Sequence, residues 1–402
     1  MAAKHKRSKR WFIVSLVILL GASFAAFVLS EPFASAQPEV TFLYSRSPQA
    51  LELSWPSYGE AAIGASGDGV LATHGNDTPL PTASVAKILT ALAVLKQAPL
   101  TLNTNGPIIT LTQADVDSYN KYLAENGSVV KVAVGEQISE YQALEAMLMP
   151  SANNIAETLA RWAFGSISDY NTYANNYALQ LGMSNTVITD PSGFLGTTVS
   201  TPRDLVVLGE AALANPVISQ IAAKTSATIP VQGIIDNVNV LLGHEGIVGI
   251  KTGNNDQDQG CFLFASRQTI GPQQVTVVGV IMNGPNLGTA MWDALPLISS
   301  TVAAFHDLAI VKAGTTIASY TTAWGDQGSM VAKNDLSIIA WENAFITTSV
   351  SLNKLTAPLS EGSNVGTMTV SDTTSNTKYQ VPIILQNAIK EPSLFWKFTH
   401  SL

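Results

Sequence analysis

The sequence predicts an α+β fold, with one large mixed domain, a small β-rich domain after it and an apolar helix before it. Three observations lead to this prediction. Residues 58–305 have the pattern of a hairpin, a run of helices, three strands and a closing helix. Beyond His306 the pattern changes to short β-rich runs at turn spacing. Trp11–Ser30 is an uncharged, mostly apolar stretch.

The stretch Trp11–Ser30 has the composition of a membrane-spanning or signal helix. At 1.5 Å per residue, its roughly 20 residues match a hydrocarbon core of about 30 Å. Basic residues crowd the chain before it, which predicts that the rest of the protein is extracytoplasmic. Ala34-Ser35-Ala36 fits a signal-peptidase site, so a membrane anchor, which we favour, and secretion after cleavage both remain open. We expect residues 1–36 to form this tail and helix and residues 37–57 to form a linker.

Composition excludes several functional classes. The 402 residues are 46% apolar and 12% charged, with a formal net charge of −8, so we expect no nucleic-acid partner. The five histidines have no metal-ligand spacing, and we predict neither a metal nor another cofactor. The single cysteine, Cys261, lies in an apolar run, which favours a buried strand thiol over a reactive one.

The large domain begins with a hairpin, for which Glu60–Ser66 and Val70–Thr73 supply the strands around a glycine turn. The run Pro81–Leu95 follows, and its apolar residues recur at helical spacing on nearly every face. Its only ionisable side chain is Lys87. A buried lysine is costly unless it is paired or neutral, so we expect a functional reason for its presence.

Ser84 stands three residues before Lys87, and residues at this spacing lie on the same helix face. The serine hydroxyl and the lysine amine are therefore expected within hydrogen-bond reach. A weak nucleophile beside an amine whose pKa is lowered by burial is suited to acyl transfer.

A capping box, Ser139 to Gln142, predicts a helix that ends near Pro150. A second helix is expected from Ile155 to Trp162. Ser151 and Asn153 would then lie on a short loop between two helices, where side chains can project into a cleft.

Further helices are expected over Asp169–Leu181, from Thr201 onward and over about Leu287 to Phe305. Strands are expected in the large domain over Gly246–Gly253, Gly260–Ser266 and Val275–Met282. Short strands are expected beyond residue 306, over Thr315–Thr321, Leu336–Ala340, Thr347–Leu352, Asn364–Thr369 and Tyr379–Leu385.

The first two motifs each occur a second time, as Ser128-Val-Val-Lys131 and Ser118-Tyr-Asn120, and two segments imitate Lys-Thr-Gly, Lys224-Thr-Ser226 and Lys312-Ala-Gly314. We set Ser128 and Lys131 aside because alternating valines predict a strand there, in which residues three apart point to opposite faces. Context favours the first set, which combines a buried helix start, a loop after a capped helix and a glycine-flanked strand.

Taken together, Ser84-x-x-Lys87, Ser151-x-Asn153 and Lys251-Thr252-Gly253 resemble the motifs of serine-type D-alanyl-D-alanine carboxypeptidases, the low-molecular-mass penicillin-binding proteins of the penicilloyl-serine transferase superfamily. The resemblance covers about residues 58–390. Supporting segments are Leu181–Thr186, Asp190–Gly193, Thr201–Leu205 and Ala357–Gly362. The departures are Ala152, where the family usually has Gly, and Asn154, where it usually has Asp.

The resemblance implies a β-lactamase/DD-peptidase-like catalytic domain, with an antiparallel sheet and a helical subdomain, at residues 58–305. It implies a C-terminal β-rich domain at residues 306–402. It also implies removal of the terminal D-alanine from peptidoglycan stem pentapeptides through a Ser84 acyl-enzyme, and covalent inhibition by β-lactams.

The same resemblance assigns roles to single residues. Lys87 would accept the serine proton, Ser151 would relay it to the leaving amine, and Asn153 would hold Lys87 and the substrate amide. Lys251 and Thr252 would bind the terminal carboxylate. In this assignment Gly253 keeps the strand bare for substrate, and the oxyanion hole is formed by the backbone N–H groups of Ser84 and Asn254.

Three alternatives remain at this point. A class A β-lactamase shares two motifs, but no Glu-x-x-Leu-Asn segment lies between Ser151 and Lys251. A D,D-endopeptidase that cuts cross-links shares all three motifs, and the sequence does not separate it from a carboxypeptidase. A non-catalytic wall-binding protein is disfavoured by the complete set of motifs.

Overall fold

The computed structural model describes residues 2–30, 34–254 and 259–400. The chain divides into two compact units. The large unit is Gln49–Asp307 with Ile339–Asn343, and the small unit is Met1–Pro48 with Leu308–Ile338 and Ala344–Leu402. The small unit therefore combines the N-terminal segment with the C-terminal domain.

The chain begins with helix α1 (Ala2–Ser30), followed by strands β1 (Ala34–Val40) and β2 (Ser45–Arg46). Within the described ranges, no single helix is long and apolar enough to cross a membrane, and the apolar part of α1, Trp11–Phe24, is shorter than a span. By length and composition one bent helix pair in the large unit passes the test, Pro202–Ala214 with Pro216–Ala222.

The large unit contains both strands and helices. Its strands are β3 (Glu60–Ala65), β4 (Gly69–His74), β5 (Leu80–Pro81), β6 (Ile108–Thr110), β7 (Gln137–Ser139), β8 (Val199–Ser200), β9 (Ser226–Ile229), β10 (Gly233–Asp236), β11 (Ile247–Asn254), β12 (Gly260–Ile270) and β13 (Gln273–Gly284). Its helices are α2 (Ala86–Gln97), α3 (Gln113–Ala124), α4 (Glu140–Leu148), α5 (Asn153–Phe164), α6 (Ile167–Gln180), α7 (Pro202–Ala214), α8 (Pro216–Ala222) and α9 (Leu287–Ala303).

The main sheet of the large unit is antiparallel, with the strand order β11-β12-β13-β3-β4. Helix α2 is buried at the centre of the helical layer and packs on α5, α6 and α7. Gly209 of α7 allows a close approach to the sheet, since a β-carbon there would lie 2.7 Å from a methyl group of Val278. Helix α2 is thus enclosed by other helices, and α7 packs that helical layer on the sheet.

The remaining elements are β14 (Phe305–Val311), β15 (Thr316–Thr322), β16 (Gln327–Ala332), β17 (Leu336–Trp341), β18 (Ile346–Leu352), β19 (Leu355–Thr356), β20 (Asn364–Asp372), β21 (Thr377–Leu385) and helix α10 (Leu394–Thr399). An eight-stranded sheet in the small unit has the order β19-β1-β15-β16-β21-β20-β18-β2. The C-terminal domain is therefore predominantly β, as the sequence predicts.

The expected linker over residues 37–57 is wrong for its first part. Strand β1 lies between β15 and β19, and its residues Ala36–Val40 pair with Thr322–Ala318. Strand β2 pairs with β18. Alternation of polar and apolar residues is weak in Ala34–Val40, and Pro38 disfavours a strand, so only its pairing partners reveal this element.

The predicted hairpin, the capping box and the three consecutive strands of the large unit are confirmed. In the capping box, Ser139 accepts a hydrogen bond from the backbone N–H of Gln142, and the Gln142 side chain reaches back to the Ser139 backbone. The predicted strand around Val130–Val134 is wrong, because residues 127–133 form an irregular segment.

Candidate active site

The candidate nucleophile and its partner lie at the start of α2. Ser84 is in a single 3-10 turn, Ala83–Val85, and Lys87 is in the first turn of the helix. The Lys87 Nζ atom is fully buried and lies 2.8 Å from Ser84 Oγ. The predicted serine–lysine pair is therefore brought together as expected from their spacing.

Two further groups hold the amine. Lys87 Nζ donates to Asn153 Oδ1 at 2.7 Å and to the Ser192 carbonyl at 2.8 Å. These two oxygens only accept hydrogen bonds, so they use both N–H donors of a neutral amine. Its lone pair is then directed at the Ser84 hydroxyl, which is the arrangement that a general base requires.

The environment favours that neutral form. Burial, followed by the nearby Lys251 charge, lowers the pKa of Lys87 well below its usual value, while the Asp190 carboxylate opposes this effect. Charging a buried amine beside a second cation is unfavourable in a low-dielectric interior. The Lys87 amine is thus suited to accept a proton from Ser84.

Ser151 lies at the meeting point of α4 and α5. It is buried and adopts a left-handed backbone conformation with φ of 68°, which is uncommon for a non-glycine residue. Lys251 Nζ donates to Ser151 Oγ at 3.0 Å and to the Thr252 carbonyl at 2.8 Å. Burial lowers the pKa of Lys251 to about 7. Because Ser151 accepts from Lys251, its own hydroxyl proton remains available for donation to another group.

Asn153 is the first residue of α5 rather than part of the loop predicted from the sequence. The helix begins two residues before Ile155, the predicted start. The Asn153 backbone N–H donates to the Ser128 carbonyl, and this bond orients the first turn. The Asn153 amide is buried and fixed beside Lys87.

Gly253 on β11 lies against the turn that carries Ser84. A β-carbon there would lie 3.1 Å from the β-carbon of Ala83 and 3.1 Å from the Thr82 carbonyl oxygen. These distances are closer than ordinary van der Waals contact. The missing side chain thus lets β11 approach the turn that carries Ser84.

A pocket with a volume of about 100 Å³ lies where these elements meet. Three of its lining residues were predicted, namely Ser84, Asn153 and Asn254. The other described residues that line it are Asn126, Gly127, Ser128 and Phe194. Lys251 and Thr252 are buried next to it on β11. The eight predicted site residues therefore come from three separate parts of the chain and lie on adjoining elements.

Comparison with known proteins gives the family. Residues 60–286 match the profile of the D-alanyl-D-alanine carboxypeptidases, peptidase family S11, and residues 305–391 match the C-terminal domain of penicillin-binding protein 5. The chain belongs to the D-alanyl-D-alanine carboxypeptidase family. It is therefore a serine peptidase of the low-molecular-mass penicillin-binding proteins, and its function is that of a D-alanyl-D-alanine carboxypeptidase.

Individual relatives agree with this membership. The chain is 31% identical over 234 residues to the carboxypeptidase DacB2 of Mycobacterium tuberculosis, covering 56% of this chain and 74% of that protein. It is 30% identical over 216 residues to a D-alanyl-D-alanine endopeptidase of Pseudomonas aeruginosa, covering 52% of this chain and 66% of that protein. The Streptomyces K15 DD-transpeptidase structure superimposes with a TM-score of 0.53 at 25% identity, over 63% of this chain and 98% of that one.

Three of the pocket residues that sequence reasoning missed in this carboxypeptidase, Asn126, Gly127 and Ser128, lie on the segment after α3, and the fourth, Phe194, follows the loop Asp190–Gly193. Ser128 belongs to a motif copy that was set aside, yet its side chain lines the pocket. The segment is irregular because its backbone bonds to α5: Asn154 accepts from the Val130 N–H at 3.1 Å and donates to the Val130 carbonyl at 2.9 Å. The turn dipeptide Asn126-Gly127 was the one available signal.

Other groups that the sequence singled out have structural contacts. Ser118 lies within α3 and donates to Glu157 at 2.7 Å, and Lys224 pairs with Glu145 at 2.6 Å. Cys261 is buried, and burial raises the pKa of its thiol to about 12. Across residues 2–30, 34–254 and 259–400, no group of three or more His, Cys, Asp or Glu side chains is arranged to hold a metal ion.

Proposed function

We propose that Ser84 is the nucleophile that attacks the carbonyl between two terminal D-alanines of a peptidoglycan stem peptide. The Ser84 oxygen forms an ester bond to the penultimate D-alanine while the peptide bond breaks, and the terminal D-alanine leaves as its amine. Water then hydrolyses the ester and restores the hydroxyl. The observation that supports this most directly is the 2.8 Å contact between the Lys87 amine and Ser84 Oγ.

Lys87 takes the serine proton in the first step. Its two N–H donors are held by Asn153 and Ser192, so the lone pair is available to Ser84. Ser151, which accepts from Lys251, supplies a proton to the departing amine. Protonated Lys87 then returns its proton to the Ser151 oxygen, so the proton taken from Ser84 is replaced by one on the leaving amine and no amide anion is released.

Lys251 and Thr252 bind the terminal carboxylate of the substrate. A charge-assisted hydrogen bond of this kind contributes on the order of 1.5–3 kcal/mol. Asn254 lines the pocket beside Ser84, and its backbone N–H together with that of Ser84 would stabilise the oxyanion. β-Lactams resemble the terminal dipeptide and would acylate the same serine.

Covalent labelling tests the nucleophile. We expect Ser84→Ala in the full-length protein to remain folded and to lose labelling by a fluorescent penicillin. Ser128→Ala is the matched control, because it removes a hydroxyl from the same pocket and should still be labelled. Persistent labelling of Ser84→Ala would disprove the assignment. Mass spectrometry after incubation with a D-Ala-D-Ala pentapeptide should show loss of one alanine.

A D,D-endopeptidase activity is the second candidate, since several relatives at 27–33% identity carry that name. A carboxypeptidase releases free alanine from a pentapeptide, whereas an endopeptidase splits a cross-linked dimer. Comparing kcat/KM for the two substrates with the same enzyme preparation decides between them. We expect the pentapeptide to be preferred.

We also propose that the enzyme acts outside the cytoplasm, held at the membrane by its N-terminal helix. The residues from Trp11 to Phe24 are mostly apolar and are exposed, and basic residues precede them. Cleavage after Ala36 would remove the part of β1 that pairs with Leu355 and Thr356, which favours an uncleaved anchor. N-terminal sequencing of the membrane fraction tests this, and a mature chain starting at Gln37 would contradict it.

A further inference from the structure

A buried carboxylate organises the loop that contacts Lys87. Asp190 is 6% exposed and accepts four hydrogen bonds from uncharged donors. Its Oδ2 atom accepts from the Ser192 N–H at 3.1 Å, the Ser192 hydroxyl at 2.6 Å and the Phe194 N–H at 3.0 Å. Its Oδ1 atom accepts from the Thr198 hydroxyl at 2.6 Å. Asp190 therefore fixes the backbone from residue 192 to residue 194.

This loop connects directly to the catalytic amine. The Ser192 carbonyl, on the residue that Asp190 holds twice, accepts from Lys87 Nζ at 2.8 Å. Gly193 follows with φ of 69°, and a β-carbon there would collide with the Ala83 carbonyl. The loop is thus packed against the turn that carries the nucleophile, and a shift of the Asp190 carboxylate would move the Ser192 carbonyl.

Asp190 also differs in charge from the other groups around Lys87. Lys251 faces the amine from β11 and disfavours its protonation, whereas Asp190 favours it. The phenols of Tyr122 on α3 and Tyr170 on α6 also interact with Asp190, and burial raises the pKa of both, which keeps them neutral. Among the residues that the structure describes, Asp190 is thus an anion that offsets part of the repulsion between the two lysines.

We propose that Asp190 is a positioning residue, which holds the Ser192 carbonyl against the Lys87 amine and keeps a negative charge beside it. The inference rests on the proposed role of Lys87 as the base. It predicts two separable effects, one on the geometry of the amine and one on the pH at which the amine becomes protonated.

The test measures the acylation rate constant of the full-length enzyme with a fluorescent penicillin between pH 4.5 and 9. Acylation needs neutral Lys87, so the rate should fall on the acid side. Asp190→Asn removes the negative charge, which makes protonation of Lys87 harder. We call the fall of the rate at low pH the acid limb of the pH–rate profile, and the constant rate above it the plateau. We expect the acid limb of this variant to move to lower pH by about half a unit or more, and its plateau rate to fall about 10- to 100-fold.

Ser192→Ala separates the two effects, because it removes one bond to Asp190 but keeps the charge. We expect a lower plateau rate with the acid limb in its wild-type position. Asp204→Asn is the matched control: Asp204 is equally buried and accepts from the Asn185 N–H at 2.8 Å and the Thr186 hydroxyl at 2.9 Å. It should leave the limb unmoved, even where the variant is less stable to heat.

The outcomes distinguish this inference from the proposed function. Normal acylation of Lys87→Ala, or a wild-type profile with no acid limb, would overturn the assignment of the base and the inference with it. If Lys87→Ala is inactive but Asp190→Asn keeps the wild-type limb, the inference alone is wrong. Should Asp190→Asn fail to fold, a wild-type plateau in Ser192→Ala would overturn the positioning role.

Discussion

Glu140 provides a prediction whose magnitude follows from its surroundings. It is the first residue of α4 and is fully buried, and neither of its carboxylate oxygens has a hydrogen-bond partner among the described residues. Burial raises the pKa of this carboxyl from 4.5 to about 7. Between about pH 4.5 and pH 7, Glu140 is therefore protonated in the folded protein but ionised in the unfolded chain.

The sign and size of the effect follow from this difference. A raised carboxyl pKa means that the free energy of unfolding falls as pH rises from about 4.5 to 7 and then stays low. Each pKa unit corresponds to about 1.4 kcal/mol, so the total loss is about 3 kcal/mol. Glu140→Gln removes the titration. We expect it to stabilise the enzyme by up to about 3 kcal/mol at pH 8 and to have little effect at pH 5.

Urea unfolding followed by circular dichroism at pH 5, 6, 7 and 8 measures this difference. Glu145→Gln is the matched control on the same helix, because Glu145 is buried but pairs with Lys224 at 2.6 Å. Its loss should destabilise the protein at pH 8. The reasoning is refuted if Glu140→Gln changes stability equally at pH 5 and pH 8, or if both variants behave alike.

Three further predictions concern the site. Because the pKa of Lys251 is about 7, KM for a pentapeptide should rise about tenfold between pH 6 and pH 9, and Lys251→Met should abolish that dependence. Gly253→Ala should push β11 off the nucleophile's turn and slow penicillin acylation about tenfold or more, whereas Gly196→Ala, in open space, should acylate normally. Asn154→Asp loses the donor to the Val130 carbonyl and should reduce stability in urea by about 1–3 kcal/mol; unchanged stability would contradict this.

Local sequence patterns determined much of the site in advance. Spacing by three is enough to place Ser84 beside Lys87, because residues three apart share a face both in an α-helix and in the 3-10 turn that precedes α2. The apolar surroundings of Lys87 also predicted its lowered pKa, since burial is the largest cause. Periodicity and capping also predicted the hairpin, most of the helices and the three later strands of the large domain, but not helix α3 or the strands β9 and β10.

Contacts between distant segments were decided only by the tertiary structure. The Ser192 carbonyl on Lys87, the pocket lining at Ser128 and the strand β1 in the C-terminal sheet each depend on a partner far away in the chain. Residues 34–40 have a weak pattern, and the alternating valines of residues 130–134 predicted a strand that does not form, so both conformations are set by the backbone groups that these segments meet. The sequence by itself determined which residues carry the chemistry, whereas packing of the loops decided how the amine is held, because hydrogen bonds to backbone carbonyls leave no mark on residue type.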